Sequence, residues 1–313
     1  MSTAQSAVAK RTFGECCAVV GFAELECLSD EVTDYVKSDS DGEGYMMEGK
    51  IQELHIADMD CRLYLPPGYE EGSDRYPVSY VNGEVSIEGI LTKLVEHGAQ
   101  TDFLFLSIKP GSWNDDFTPW AAPAFRAGEE APRGRADTWL SRLTGEIKPY
   151  MDAHYRTKPE PEHTALFGYS LGGLTAIYSI YKTDIFGAAA SLSGSLWFDG
   201  FCEFMEREKP LRTDMRVYFS LGKKESRGKN PRMGRVAECT ERAREILAGQ
   251  LDRTGGDDDT GEEGGLRTGR GNTQRVYFEW NEGGHFHDIE GRFAKAIAWW
   301  QKVAIADAPR PHI

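Results

Sequence analysis

A serine flanked by glycines is the residue of this chain best suited to do chemistry. In TALFGYSLGGLTAIYSIY, residues 164–181, an apolar run passes through glycines into a helical pattern, and Gly168, Ser170 and Gly172 form the motif GxSxG. In a strand–turn–helix setting this motif exposes the serine hydroxyl on a sharp turn, and the glycines let strand and helix approach closely. Ser170 is therefore the candidate nucleophile. A glycine-rich turn with an incidental serine is the alternative.

A nucleophilic serine needs a base within reach. Where the serine sits on such a strand-to-helix turn of an α/β sheet, the catalytic residues follow the order Ser, acid, His along the chain. His285 follows the last predicted strand, VYFEWN, after two glycines that allow a tight loop. We expect His285 to be the base, with His287 as the reserve candidate. A metal site at these two histidines lacks the further ligands that a metal requires.

The acid that orients the base is predicted at Glu225. Glu225 follows the predicted strand RVYFSLG and lies between Ser170 and His285 in the chain. The neighbouring Lys223 and Lys224 make an ordinary solvated loop the competing interpretation. Three other carboxylates are the fallback candidates, of which the last is too close in sequence to His285 to orient it easily: Asp199, Asp214 and Asp288.

Two backbone N–H groups are expected to stabilise a developing oxyanion. The first is that of Leu171, at the start of the predicted helix, where the helix dipole is positive. The second is expected from Gly83 or Glu84, after the predicted strand YPVSYV, although an ordinary strand-terminating turn would look the same. Four side chains are candidates for contact with substrate, each with a core position as its alternative: Trp113, Asp116, Trp120 and Trp197.

The elements that must position these residues alternate between strand and helix. KIQELHIADMDCRLYLPPGY predicts a hairpin, and apolar strands then alternate with helices up to IEGRFAKAIAWWQKVA. Parallel strands need crossover connections, so this order predicts an α/β fold with a mostly parallel sheet and helices on both faces. We expect a catalytic domain over 49–305, an N-terminal extension over 1–48, an acidic Gly-rich surface loop inserted at 253–272, and a tail over 306–313.

Composition restricts the partners. The 313 residues include 36 Lys and Arg against 50 Asp and Glu, a net charge of -14, which argues against binding to nucleic acid or to an anionic membrane. The six cysteines form no CxxC pair, so free thiols are expected. The N-terminal segment lacks the apolar core of a signal peptide, and no stretch is long enough to span a bilayer, so we expect a cytoplasmic protein. No metal or organic cofactor is required, and a homo-oligomer is possible.

Several segments together resemble a known family. LYLPPGY, YPVSYVNG, DDFTPWAAPA, IKPYMDAHYRTKPEPEHTALFGYSLGGL, SLSGSLWFDGF, GKKE and EGGHF are similar to the "Putative esterase" family of α/β-hydrolases, in the branch that resembles enterochelin (siderophore) esterases. The resemblance spans residues 50 to 303. It implies the α/β-hydrolase fold and hydrolysis of a small-molecule carboxylic ester through an acyl-enzyme, with Ser170, His285 and Glu225 at the nucleophile, base and acid positions.

The same resemblance leaves two alternatives open. The family includes acyltransferases, and a member that loses catalysis could persist as a binding module. The loop VNGEVS also departs from relatives that carry an aspartate after the asparagine, which leaves the second oxyanion donor open.

Overall fold

A single twisted sheet organises the chain. The computed structural model describes residues 32–34, 49–227, 230–251 and 275–306. The strands of this described part are β1 Val32–Asp34, β2 Lys50–Ile56, β3 Met59–Leu65, β4 Val78–Asn82, β5 Leu104–Ile108, β6 Thr164–Tyr169, β7 Ala188–Leu192, β8 Arg216–Gly222 and β9 Val276–Asn281. Their order across the sheet is β1-β2-β3-β5-β4-β6-β7-β8-β9.

The sheet is antiparallel at one end and parallel over the rest. β1 to β3 and the β3–β5 pair are antiparallel, as the predicted hairpin requires. β5, β4, β6, β7, β8 and β9 are parallel neighbours in that order. Residues at the ends of β4, β6 and β7 pair side by side, with Asn82 opposite Gly168 and Tyr169 opposite Leu192. The carboxyl ends of these strands therefore meet at one edge, where ligands of open α/β sheets bind.

Helices cover both faces of the sheet. They are α1 Ile87–Glu96, α2 Trp113–Asp116, α3 Ala136–Arg142, α4 Lys148–His154, α5 Leu171–Ser179, α6 Phe201–Arg207, α7 Val236–Leu251 and α8 Ile289–Ala306. Strands β4 to β8 are buried at every position, which explains their continuous apolar runs. One core contains residues of α3 to α7, and the other contains residues of α1 and α8. The predicted fold class is confirmed.

The structure refines some predicted boundaries. The helix predicted through ADTWLSRLTGEIKPYMDAHY is α3 and α4 joined by a wider π-type turn over Leu143–Ile147. Helices α2 and α6 were not predicted, because α2 is one turn long and α6 lies in an aromatic-rich segment without clear amphipathic spacing. The predicted loop at 253–272, residues 307–313 of the tail and all of the N-terminal extension except β1 lie outside the described residues. No helix in the described part is long and apolar enough to cross a membrane.

Candidate active site

Ser170 occupies the turn between β6 and α5 in a conformation that side-chain-bearing residues seldom adopt. Its φ is 55° and its ψ is -119°. The glycines make this turn possible: a Cβ on Gly168 would lie 2.2 Å from the carbonyl carbon of Gly172, and a Cβ on Gly172 would lie 2.5 Å from the Asn82 oxygen. Both distances fall far below an ordinary carbon contact. The GxSxG spacing thus allows strand, helix and β4 to touch backbone to backbone.

Ser170, His285 and Glu225 form a continuous chain of hydrogen bonds. Ser170 Oγ lies 3.1 Å from His285 Nε2, and His285 Nδ1 lies 2.9 Å from Glu225 Oε2. The three residues follow β6, β9 and β8, so the carboxyl edge of the parallel sheet brings together positions more than 100 residues apart. The imidazole is 31% exposed while the carboxylate is only 2% exposed. The arrangement has the geometry by which a hydroxyl can be deprotonated and its base held in place.

Glu225 is held in its ionised form. Burial opposes its charge, but His285, Ser193, Arg292 and the Gly222 N–H all donate hydrogen bonds to it, and the net effect lowers its pKa from the ordinary 4.5. Three of these donors converge on Oε1: Ser193 Oγ at 2.7 Å, Gly222 N at 2.7 Å and Arg292 Nη1 at 2.9 Å. The other oxygen is left to His285, which then keeps the proton on Nδ1 and presents Nε2 as the acceptor for Ser170.

Arg292 is the residue of this network that the sequence analysis missed. Its side chain is fully buried on α8 and also donates to Tyr169 Oη and to the carbonyl of Gly284, at 3.2 and 2.9 Å. Tyr169 Oη in turn donates to the carbonyl of His285. Burial raises the pKa of Tyr169 to about 12, so this hydroxyl stays protonated. The sequence contains one indication that this arginine is buried, because it lies four residues before Ala296 and therefore on the apolar face of the predicted helix.

The predicted oxyanion donors have different outcomes. Leu171 is the first residue of α5, where helix geometry leaves its N–H without an intrahelical acceptor, and it lines the cavity at Ser170. The prediction for Gly83 is wrong, because its N–H donates to the carbonyl of Ile108 at 3.0 Å and so is committed to the sheet. Glu84 lines a separate groove, and its N–H stays a prediction. A hydroxyl not anticipated from sequence, Ser195 Oγ, lies 3.3 Å from Ser170 Oγ.

A cavity of about 670 Å³ opens over Ser170. Aromatic and aliphatic side chains line it together with polar and charged ones: Trp113, Asn114, Phe125, Arg126, Glu129, Ser195, Trp197, Asn230, Met233, Val236 and Phe286. Two of the four predicted substrate contacts, Trp113 and Trp197, are among these lining residues.

The other two predicted contacts are wrong. Trp120 packs against Phe198 and Phe204, and its indole N–H donates to the carbonyl of Asp199, so it supports the wall from behind. Asp116 pairs with Arg135 at 3.2 Å and lines a different cavity.

The reserve candidates take no part in the hydrogen-bond chain. The His287 side chain packs against Gly283, and the His287 backbone N–H donates to the carbonyl of Gly284. Asp199 pairs with Arg232 at 2.6 Å, and Asp214 pairs with Arg212 at 2.7 Å. The Asp288 carbonyl accepts from the Arg292 backbone N–H. Within residues 49–227, 230–251 and 275–306 no group of three His, Cys, Asp or Glu side chains could hold a metal ion.

Comparison with known proteins agrees with this architecture. The chain is 27% identical over 206 residues to YbbA of Bacillus subtilis strain 168, an uncharacterized protein, covering 64% of this chain and 82% of that one. An IroE-like serine hydrolase from Shewanella oneidensis has a TM-score of 0.61 at 16% identity, covering 80% of this chain and 79% of the other. Siderophore hydrolase EstA from Aspergillus nidulans has a TM-score of 0.53 at 16% identity, covering 92% and 100%.

The family assignment rests on a match to a family model over more than half of the chain. Residues 55–280, which are 226 of the 313, match the family model described as "Putative esterase". The match includes Ser170 and Glu225 and stops five residues before His285. The chain belongs to this esterase family and is a carboxylic ester hydrolase with the α/β-hydrolase fold.

Proposed function

We propose that the enzyme is a serine esterase in which Ser170 is the nucleophile, His285 the general base and Glu225 the acid that orients it. The observation that carries this proposal is the hydrogen-bond chain from Ser170 Oγ through both ring nitrogens of His285 to Glu225 Oε2. The strained turn at Ser170 supports it, because such backbone outliers concentrate at functional sites.

The reaction begins with attack of Ser170 Oγ on the ester carbonyl carbon. His285 Nε2 takes the hydroxyl proton, and Glu225 stabilises the imidazolium that forms without itself becoming protonated. His285 then returns the proton to the leaving alcohol, which leaves an acyl group on Ser170. Water repeats the sequence: His285 removes its proton, the acid is released, and the serine hydroxyl is restored.

The oxyanion of each tetrahedral intermediate would accept a hydrogen bond from the Leu171 N–H at the positive end of α5. Loss of one such donor costs an enzyme about 3 kcal/mol of transition-state stabilisation. Glu84 N–H and Ser195 Oγ are the candidates for the second donor. Ser195 has the stronger support, because it lines the cavity and lies within reach of the nucleophile.

The cavity favours an ester with a bulky apolar or aromatic group. Trp113, Phe125, Trp197 and Phe286 contribute aromatic surface. Phe125 and Trp197 meet edge to face at 5.5 Å between ring centroids, which forms a rigid corner for a planar group. The likeness to a siderophore hydrolase is compatible with such a substrate. A cytoplasmic location and a homo-oligomer stay predictions.

Hydrolysis of p-nitrophenyl esters of increasing acyl length, together with benzoyl and hydroxycinnamoyl esters, tests the proposal. Ser170→Ala and His285→Ala should each lower kcat by roughly three orders of magnitude or more, and a fluorophosphonate should label the wild type but not Ser170→Ala. Ser141→Ala and His97→Ala, which lie away from the cavity, serve as matched controls and should keep the wild-type rate. A wild type that cleaves none of these esters and takes up no fluorophosphonate would exclude the proposal and favour a binding module.

A further inference from the structure

One buried arginine connects the loops that carry the proposed catalytic residues. The Arg292 guanidinium has no exposed surface, and its donors reach Glu225 Oε1, Ser193 Oγ, Tyr169 Oη and the Gly284 carbonyl. These partners lie at the ends of β6, β7, β8 and β9. The side chain therefore contacts every strand end from the Ser170 turn to the His285 loop.

The neighbouring backbone is shaped to admit this side chain. A Cβ on Gly222 would lie 2.7 Å from Arg292 Nη2 and 2.8 Å from Glu225 Oε1, so only glycine leaves room at the end of β8. Ser193 has a φ of 46°, a conformation that non-glycine residues seldom adopt. This conformation accompanies a serine hydroxyl that bonds to both Glu225 and Arg292. The glycine at position 222 and the positive φ of Ser193 thus both occur at contacts with Arg292.

A buried ion pair is weak evidence for stability, because desolvation of two charges offsets most of their attraction. It can instead specify one arrangement of the groups around it. Here the geometry distinguishes the two carboxylate oxygens: Oε1 accepts from Arg292, Ser193 and the Gly222 N–H, and Oε2 accepts from His285. Arg292 also binds the carbonyl of Gly284, the residue directly before the histidine.

We propose that Arg292 is the positioning residue of the esterase, which fixes the rotation of the Glu225 carboxylate and docks the His285 loop so that Nε2 faces Ser170. The inference rests on the function proposed above. Arg292 acts through Glu225 and Gly284 and does not touch the reacting atoms. Its loss should therefore lower kcat and leave KM within a few-fold, since the cavity wall is unchanged.

The test is a double-mutant cycle on kcat with a p-nitrophenyl ester that the wild type cleaves. It compares wild type, Arg292→Met, Glu225→Gln and the double variant. A loss of alignment of the order of 1 Å costs about 100-fold in rate, which is the fall in kcat expected for Arg292→Met. In the Glu225→Gln background the same change should cost clearly less than 100-fold, because only the contact to the Gly284 carbonyl then remains for the arginine to act through.

Two further variants separate positioning from general damage. Arg292→Lys keeps a positive charge beside Glu225 and should recover a large part of the kcat lost in Arg292→Met. Lys148→Met removes another buried cation, which pairs with Asp152 at 2.7 Å away from the cavity, and should leave kcat unchanged. If Arg292→Met fails to fold, Arg292→Gln with Arg292→Gln/Glu225→Gln completes the same cycle, because Gln removes the positive charge and keeps a polar group in the site.

Proton NMR supplies an independent measurement. The His285 Nδ1–H, bonded to a buried carboxylate, should give a strongly downfield resonance that persists in Lys148→Met and is displaced or lost in Arg292→Met. An active wild type whose kcat falls less than 3-fold in Arg292→Met, or falls by the same factor with and without Glu225, would overturn the inference while leaving the esterase intact. An inactive wild type would instead refute the proposed function.

Discussion

Gly168 offers the sharpest test of how the Ser170 turn is built. A Cβ at Gly168 would lie 2.2 Å from both the carbonyl carbon and the oxygen of Gly172. Carbon contacts settle at about 3.5 Å, so Gly168→Ala must force β6 and α5 apart by about 1 Å. Overpacking of a core costs about 1–3 kcal/mol, and the obstacle here is backbone that cannot rotate away. We expect a loss of about 3 kcal/mol in the free energy of unfolding.

The same displacement moves Ser170 and the Leu171 N–H relative to His285, so kcat should fall about 100-fold in the fraction that remains folded. Urea denaturation monitored by tryptophan fluorescence measures the first effect, and ester hydrolysis measures the second. Gly249→Ala is the matched control, because Gly249 is exposed on α7 and an added Cβ would meet nothing within 4 Å. It should stabilise the protein by up to about 1 kcal/mol. A Gly168→Ala variant as stable and active as wild type would refute the close backbone contact.

Two further predictions concern the residues around the turn and the acid. Asn82→Ala should lower the free energy of unfolding by about 2 kcal/mol or more, because it leaves the Gly172 carbonyl and the Trp139 indole N–H unpaired in the core. Urea denaturation measures this loss. The control Gln301→Ala, at an exposed hydrogen bond, should stay within about 0.5 kcal/mol of wild type. The pKa of Glu225 is lowered in the folded protein, so its ionised form stabilises the fold above the ordinary value of 4.5, and this contribution is lost as pH falls below 4.5 towards the folded pKa. The free energy of unfolding should therefore depend less on pH in Glu225→Gln than in wild type between about pH 6 and pH 3, and equal slopes would contradict the network around Oε1.

The positions of Ser170, Glu225 and His285 could be predicted because each follows a strand that the sequence marks clearly. β6 and β8 are buried on both faces and read as continuous apolar runs, and β9 ends at the glycines before His285. Once these strands are parallel, their carboxyl ends meet at one edge whatever their separation in sequence. The grouping of the three residues thus follows from strand order alone.

The finer geometry depends on contacts that no local pattern specifies. Gly83 follows β4 as a donor should, yet its N–H is committed to Ile108 by a pairing that exists only once β5 is in place. Trp113 and Trp120 lie seven residues apart in the connection between β5 and α3, and only the path of that connection places the first in the cavity and the second behind it. The role of Arg292 could not be predicted from a local pattern, because its hydrogen-bond partners come from four separate strand ends.

The strained residues link these observations. Non-glycine residues with positive φ in the described ranges are Ala57, Asp58, Ser170, Ser193 and Asp288. The first two form the β2–β3 turn, where such a conformation is ordinary. The other three are the proposed nucleophile Ser170, the Glu225 hydrogen-bond donor Ser193, and Asp288, which directly precedes the helix that carries Arg292. Each such conformation costs about 1–3 kcal/mol, which the surrounding packing must offset. Because Ser193 Oγ accepts a hydrogen bond from the Arg292 guanidinium, the strain at Ser193 accompanies a contact to one buried cation, and the orientation of Glu225 is where it would affect the chemistry.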